Sequence, residues 1–252
     1  MLKLCNLYLL ILPVYDEVTL IESCRMAIQQ NLQRVQKQIS VFEQQYHRIP
    51  GSVRLLAASK GQPTSKLREG YEAGQKLFGE NYLQEAFNKM QTLSDCDIEW
   101  HFIGRVQSNK ARKIAALFAW VHSVTDLNLA ERLNNARPDH LPPLHICIEV
   151  NIDHETSKSG VAPHEAQNLI ADLSHLPRIA VRGLMAIPAP KTELTEQRKA
   201  FQKMYQLWNE IRQAGFAIDT LSMGMSDDFE AAIAEGSTLV RIGTNIFGER
   251  TK

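Results

Sequence analysis

The sequence predicts an α/β fold, a single (β/α)8 TIM barrel. Eight short apolar runs rich in β-branched residues recur from residue 53 onward, and stretches with helical spacing of apolar residues lie between them. The 252 residues, 44% of them hydrophobic, suffice for one large core of this type. A doubly wound open sheet is the alternative arrangement of the same alternation. No low-complexity linker or internal repeat divides the chain, so one domain is expected over residues 26–252.

Residues 1–25 stand apart. Leu7 to Val14 is apolar but has no small-x-small cleavage site behind it, and it is shorter than the about 20 apolar residues of a bilayer span. Met26 opens an amphipathic pattern with Ile28, Leu32, Val35, Ile39 and Phe42 on one helical face. The natural start is therefore expected at Met26, with the preceding residues an upstream translation outside the fold. The strands follow at 53–60, 76–81, 100–104, 120–125, 144–151, 181–187, 220–226 and 239–247. Helices are expected at Leu83–Leu93, Asn109–Ala119, Leu127–Ala136, Pro163–Leu173, Glu196–Ala214 and Asp228–Ala234, with Gly74, Gly215 and Gly236 where helices end.

Composition narrows the function. The 28 basic and 28 acidic residues cancel, so no overall field favours nucleic acid or an anionic membrane, and any anion site must be local. Cys5, Cys24, Cys96 and Cys147 are scattered, without C-x-x-C or histidine at ligand spacing. They read as reduced thiols of a cytoplasmic protein with no metal site.

Barrel geometry sorts the candidates, because functional groups in this fold gather at the C-terminal ends of the strands. Lys60, Asn81, the His101–Gly104 segment, Asn151, Met185, Ser226 and Gly243–Thr244 fall at or near those ends. A lysine closing a buried strand suggests a Schiff base. The segments SMGMSDD (Ser222 to Asp228) and VRIGT (Val240 to Thr244) add hydroxyls, small residues and an arginine. Ser226 and Gly243–Thr244 occupy the loops after strands seven and eight, where such barrels commonly hold phosphate. Together these features read as a pocket for pyridoxal phosphate (PLP).

Each residue also has a plainer explanation. A strand-end lysine taken alone is more often a solvated terminus. Asp227 and Asp228 fit an N-cap and first-turn acid for the following helix better than acid catalysis. His101, between Trp100 and Phe102, reads as a hydrogen-bonded core or rim histidine. Lys110, Arg112 and Lys113 read as a solvated helix face.

Six blocks in order, VRLLAASKGQP, KLFGENYLQEA, EWHFIGRVQSNK, VNIDHETSKSG, RGLMAIPAP and LSMGMSDDFEAAIAEGSTLVRIGTNIFGER, closely resemble the pyridoxal phosphate homeostasis proteins over about residues 26 to 250. The resemblance implies a barrel of the alanine racemase N-terminal domain type. It implies Lys60 as the lysine that holds pyridoxal 5'-phosphate, and Ser226, Gly243 and Thr244 as the phosphate-binding positions. Arg241 matches the arginine facing the pyridine nitrogen, and Asn81 and Met223 lie near the ring. Lys158, in the SKSG segment, is a candidate second landing site for the cofactor.

The resemblance implies a non-enzymatic role, with no catalytic residue, in intracellular vitamin B6 homeostasis. An arginine at the pyridine nitrogen keeps that nitrogen unprotonated and weakens the ring as an electron sink. The racemases complete their sites with a second, β-rich domain, and no such domain follows Gly248. The expected partners are PLP and PLP-dependent apoenzymes that receive it, with no nucleic acid and no membrane, and the chain is expected to be a monomer. A PLP-dependent racemase or lyase working from one domain is the rival reading.

Overall fold

The computed structural model describes residues 15–153, 155 and 159–249, without the side chains of residues 15–26. Eight parallel strands close into a barrel in chain order: β1 (Arg54–Ala58), β2 (Leu77–Glu80), β3 (Glu99–Phe102), β4 (Trp120–Val124), β5 (Leu144–Glu149), β6 (Ile179–Met185), β7 (Thr220–Ser222) and β8 (Leu239–Ile242). Closure comes from β1 pairing with β8, Leu55 opposite Val240 and Leu56 opposite Arg241, which excludes the open sheet.

The helices are α1 (Tyr15–Gln45), α2 (Thr64–Glu72), α3 (Leu83–Thr92), α4 (Ala111–Leu117), α5 (Leu127–Ala136), α6 (Pro163–Leu173), α7 (Leu194–Gln213), α8 (Phe229–Ala234) and α9 (Thr244–Phe247). All six expected helices are present. A single 3-10 turn, Ser108–Lys110, precedes α4 where the helix was expected to begin at Asn109. The eighth expected strand run, 239–247, divides: β8 stops at Ile242, and α9 begins after Gly243. The helix α2 left no periodic signal because its buried positions are Leu67 and Gly70. A side chain at Gly70 would stand 3.5 Å from the Phe78 ring, so the core face carries a residue that reads as neutral.

The helix α1 begins at Tyr15 rather than Met26. Residues 1–14, the rest of the segment expected to stand outside the fold, lie outside the described residues. The helix packs against α2, α8 and α9, and so takes the place in the outer ring that the four-residue α9 is too short to fill. Its buried stripe is Ile28, Leu32, Val35 and Ile39, as the spacing predicts. The Asn31 side chain donates to the Ile246 carbonyl at 3.0 Å. Just beyond the helix, Arg48 donates to the carbonyls of Ile233 (2.8 Å) and Ser237 (3.1 Å).

Alternation along the strands builds two cores. Val121, Ile146, Ile148, Leu184 and Val240 face the helices in the large outer cluster. Trp120, Cys147 and Met185 form a smaller inner one. Full burial of such side chains contributes about 1.5–3 kcal/mol each. Among the described residues no helix is long and apolar enough to cross a membrane, and no group of three or more His, Cys, Asp or Glu could hold a metal.

Candidate functional site

Lys60 lies two residues beyond β1, half-buried, in a turn whose two flanking residues are both tethered. Ser59 N–H donates to the Gly79 carbonyl at 2.9 Å, and Ser59 Oγ donates to Glu80 Oε1 at 2.5 Å. The buried Lys89 Nζ, on α3, donates to Ser59 O (2.7 Å), Glu80 Oε1 (2.7 Å) and Glu85 Oε1 (2.6 Å). The same Glu85 oxygen accepts Gly61 N–H at 2.6 Å. All three ammonium donors are matched, and the peptides on either side of Lys60 are held by one ion-paired cluster. Burial raises the pKa of Glu80, while the charge and hydrogen bond of Lys89 pull it down.

On the opposite flank of β1, Arg241 is buried on β8. One guanidinium nitrogen donates to Ser222 Oγ (2.6 Å) and Ser222 O (2.8 Å), and another to Ala186 O (3.0 Å). Burial pushes Arg241 down to about 10, so the group remains charged at neutral pH. Behind it runs a chain of hydrogen bonds: Ser222 Oγ to His122 Nδ1 at 2.9 Å, His122 Nε2 to His101 Nδ1 at 2.9 Å, and His101 Nε2 to Glu99 Oε1 at 2.8 Å. Arginine only donates and a carboxylate only accepts, so the direction is set by the two ends. Ser222 donates to His122, His122 donates from Nε2 to His101, and His101 donates from Nε2 to Glu99. That assignment needs both imidazoles neutral, which agrees with burial lowering His101 and driving His122 well below the ordinary histidine range. His101 also stacks on Trp120, ring centroids 5.3 Å apart.

The two expected anion loops meet. Asn245 Nδ2 donates to the Ser226 carbonyl at 3.3 Å, joining the loop after β7 to the start of α9. Gly243 is the N-cap of α9, and its carbonyl accepts Ile246 and Phe247 N–H at 2.9 Å. A Cβ on Gly243 would stand 3.0 Å from the Ala58 carbonyl oxygen, which ties this turn to the end of β1. Thr244 is exposed and Ser226 half-buried. Asn81, half-buried at the end of β2, has an Oδ1 that is buried without a partner. Gly104 packs on it so closely that a Cβ there would come within 2.2 Å of the Asn81 carbonyl oxygen.

Lys60, Asn81, Ser226, Arg241, Gly243 and Thr244 thus stand at the C-terminal rim of β1, β2, β7 and β8. Met223 is fully buried in the outer cluster, since Ser222 before it takes the inward position. Met185 is buried in the inner cluster. Asn151 is engaged locally, exchanging hydrogen bonds with the backbone of Glu155 at 2.8 and 3.1 Å. Asp228 takes the N-cap position of α8 without capping it. Its carboxylate turns back to accept Met225 N–H at 2.6 Å, which corrects the capping expectation. Lys158 lies outside the described residues. Neither His122 nor Lys89 is among the residues expected from the sequence. Polar residues at alternate strand positions, Glu99 with His101 and Thr220 with Ser222, are the signal for the inner chain.

A family model of the alanine racemase N-terminal domain matches residues 25–251. A pyridoxal phosphate homeostasis protein of Pseudomonas aeruginosa is 49% identical over 223 residues, which cover 88% of this chain and 96% of that one. The protein of that name in Escherichia coli is 48% identical over 226 residues, covering 88% and 97%. Among solved structures, PipY of Synechococcus elongatus with PLP bound is 36% identical, with a TM-score of 0.77 over 88% of this chain and 100% of that one. Alanine racemase from Corynebacterium glutamicum shares the fold at 19% identity, with a TM-score of 0.65 over 89% of this chain and 62% of that one.

Proposed function

The chain belongs to the pyridoxal phosphate homeostasis proteins, on the alanine racemase N-terminal barrel, and from that premise we propose that it holds PLP as a Schiff base on Lys60 and releases it to acceptors without turning over a substrate. The observation that carries the proposal is the joining of the end of β1 to the two anion loops. Gly243 lies against the Ala58 carbonyl and Asn245 bonds Ser226, so the lysine and the two loops proposed to hold phosphate share one rim.

The residues fit the group. Ser226 and Thr244 hydroxyls, with the backbone N–H groups at Gly243 and Thr244, offer donors to a dianionic phosphate without a resident cation. Asn81 Oδ1, buried and unpartnered, has its acceptor capacity to spare. Arg241, locked by Ser222 and Ala186, would present a charged guanidinium to the pyridine nitrogen. Met223 would act through its packing and backbone. When bound, the cofactor supplies an aldehyde that condenses with an amine and an electron-poor ring. Arg241, a pure donor that keeps its proton, leaves that ring nitrogen unprotonated and discourages carbanion chemistry.

A racemase needs a second acid or base facing Lys60. Cys147 is fully buried, and burial pushes its thiol up to about 12, so it stays protonated. Tyr82 lies 67% exposed beyond the end of β2. Neither is poised as a base, which supports a carrier over an enzyme. A cytoplasmic monomer serving PLP-dependent apoenzymes completes the proposal.

The test is the visible spectrum of purified protein given PLP, followed by borohydride reduction and peptide mapping. A yellow protein with its adduct on Lys60 is expected; an adduct spread over surface lysines would overturn the site. Turnover of D- or L-amino acids above that of free PLP would favour the racemase or lyase.

A further inference from the structure

Beside the rim, between α3 and α4 and floored by the outer face of β3, lies a cavity of about 660 Å³. It shares Asn81 and Gly104 with the ends of β2 and β3, across the barrel from Ser226 and Thr244. Arg105, Lys110 and Lys113 line it, and no carboxylate does among the described residues. None of the three cations makes an ion pair or side-chain hydrogen bond among the described residues; the charge of Arg105 acts on Glu149, at the end of β5. Tyr82 and Phe87, 67% and 39% exposed, line the same space, over an apolar floor that includes Leu117.

We infer that this cavity is a second binding site, for a phosphate monoester carried on a planar aromatic ring. Three like charges drawn together in a chain of zero net charge repel one another and create a local positive potential that an anion relieves. A phosphate monoester brings close to two negative charges and oxygens that match an arginine fork and lysine point charges. Exposed aromatic rings supply stacking faces for a flat ring, and the volume lies in the range of about 300–1,000 Å³ of small-molecule sites. No residue of the phosphate loops lines this space, and Asn81 is the one residue it shares with the proposed cofactor site.

The experiment is calorimetric titration of the full chain with adenosine 5'-monophosphate, with adenosine and inorganic phosphate as controls. Saturable one-to-one binding of the nucleotide is expected, with both controls weaker by about tenfold or more, the worth of one charge-assisted contact. A Lys110→Ala, Lys113→Ala double variant, altered only at exposed positions, should weaken nucleotide binding by at least about tenfold. A Thr244→Ala variant should leave it unchanged. Pyridoxine 5'-phosphate, which has the same chemistry but no aldehyde, is titrated in parallel, and the tighter ligand that responds to the double variant identifies the source. Absent saturation by either phosphate monoester, equal affinity for adenosine or phosphate, equal binding by a polyglutamate peptide, or loss with Thr244→Ala rather than the double variant would each overturn the inference.

Discussion

Two buried polar networks flank the rim, one inside the barrel and one behind it. Inside, Arg241, Ser222, His122 and His101 pass hydrogen bonds in one direction to Glu99, with charge confined to the two ends. Behind the sheet, Lys89 meets Glu80 and Glu85 directly, so charge is concentrated on the spot, one ammonium against two carboxylates. The inner chain must cross the barrel from floor to rim, and neutral imidazoles do so without further charged groups to desolvate. The outer cluster must hold one short turn, and a lysine with three acceptors does that from a single atom. The two therefore differ in what breaks them: loss of a partner strands a charge in one, and a proton disrupts the other.

The largest effect follows from stranding a charge. Lys89→Met keeps most of the side-chain volume but leaves the fully buried Glu80 carboxylate with Ser59 alone, and removing one partner of a buried pair costs about 3–5 kcal/mol. Urea unfolding should show that loss. Glu80→Gln combined with Lys89→Met should be less destabilised than Lys89→Met alone, since no buried charge is then orphaned. A double variant worse than the single one would mean that Glu80 is neutral in the fold.

Breaking the inner chain should cost less. Ser222→Ala removes one acceptor from Arg241 and the donor to His122 Nδ1, but Arg241 keeps the Ser222 and Ala186 carbonyls. A loss of about 1–3 kcal/mol in the same assay is expected for the buried groups left unpaired.

The pH response separates the networks further. The folded-state pKa values of His101 and His122 lie below the unfolded value, chiefly through burial; His101 and Arg241 add to the depression at His122, while Glu99 opposes it at His101. The unfolded chain therefore binds more protons below about pH 6.5, so stability is full above that pH and falls as pH drops below it. The slope should reach about 1.4 kcal/mol per pH unit for each histidine that stays neutral in the fold. His145, also depressed by burial, adds in the same direction, whereas Glu80 and Glu149, raised by burial, oppose it toward the acid end. Urea midpoints at pH 7.5 and about pH 5.5 test the sign, and a rise on acidification would contradict the neutral assignment.

How far these features were legible in the sequence follows from the range of each signal. Strand runs such as 120–125 and helices such as Leu127–Ala136 are local patterns of apolar spacing, and the structure has them at β4 and α5. Lys60, Ser226 and Thr244 share one rim because closure of the barrel puts strand ends there whatever the side chains do. The inner chain joins residues 99, 101, 122, 222 and 241, and its links depend on register between strands that a linear pattern does not contain. Lys89 is of a residue type that is ordinarily solvated. Its burial depends on Glu80, nine positions back on the neighbouring strand, and no periodicity carries that pairing.

An exposed ion pair gives the comparison its baseline and the smallest expected effect. Arg68 and Asp95 make two hydrogen bonds, at 2.7 and 2.8 Å, geometry as good as that of Lys89. The Arg68 hydrogen bond and charge draw Asp95 down to about 2, so its stabilisation would be present above the unfolded carboxylate range and lost as pH falls through that value. Yet both groups face water, where the dielectric and salt screen the attraction and ordering two side chains offsets it. Arg68→Ala should therefore leave the urea midpoint within error of the parent at 0.15 M salt, a concentration at which the screening length is about 8 Å. A loss comparable to that of Lys89→Met would mean that charge pairing itself holds this fold. No loss would assign the cost at Lys89 to the burial of what it leaves behind.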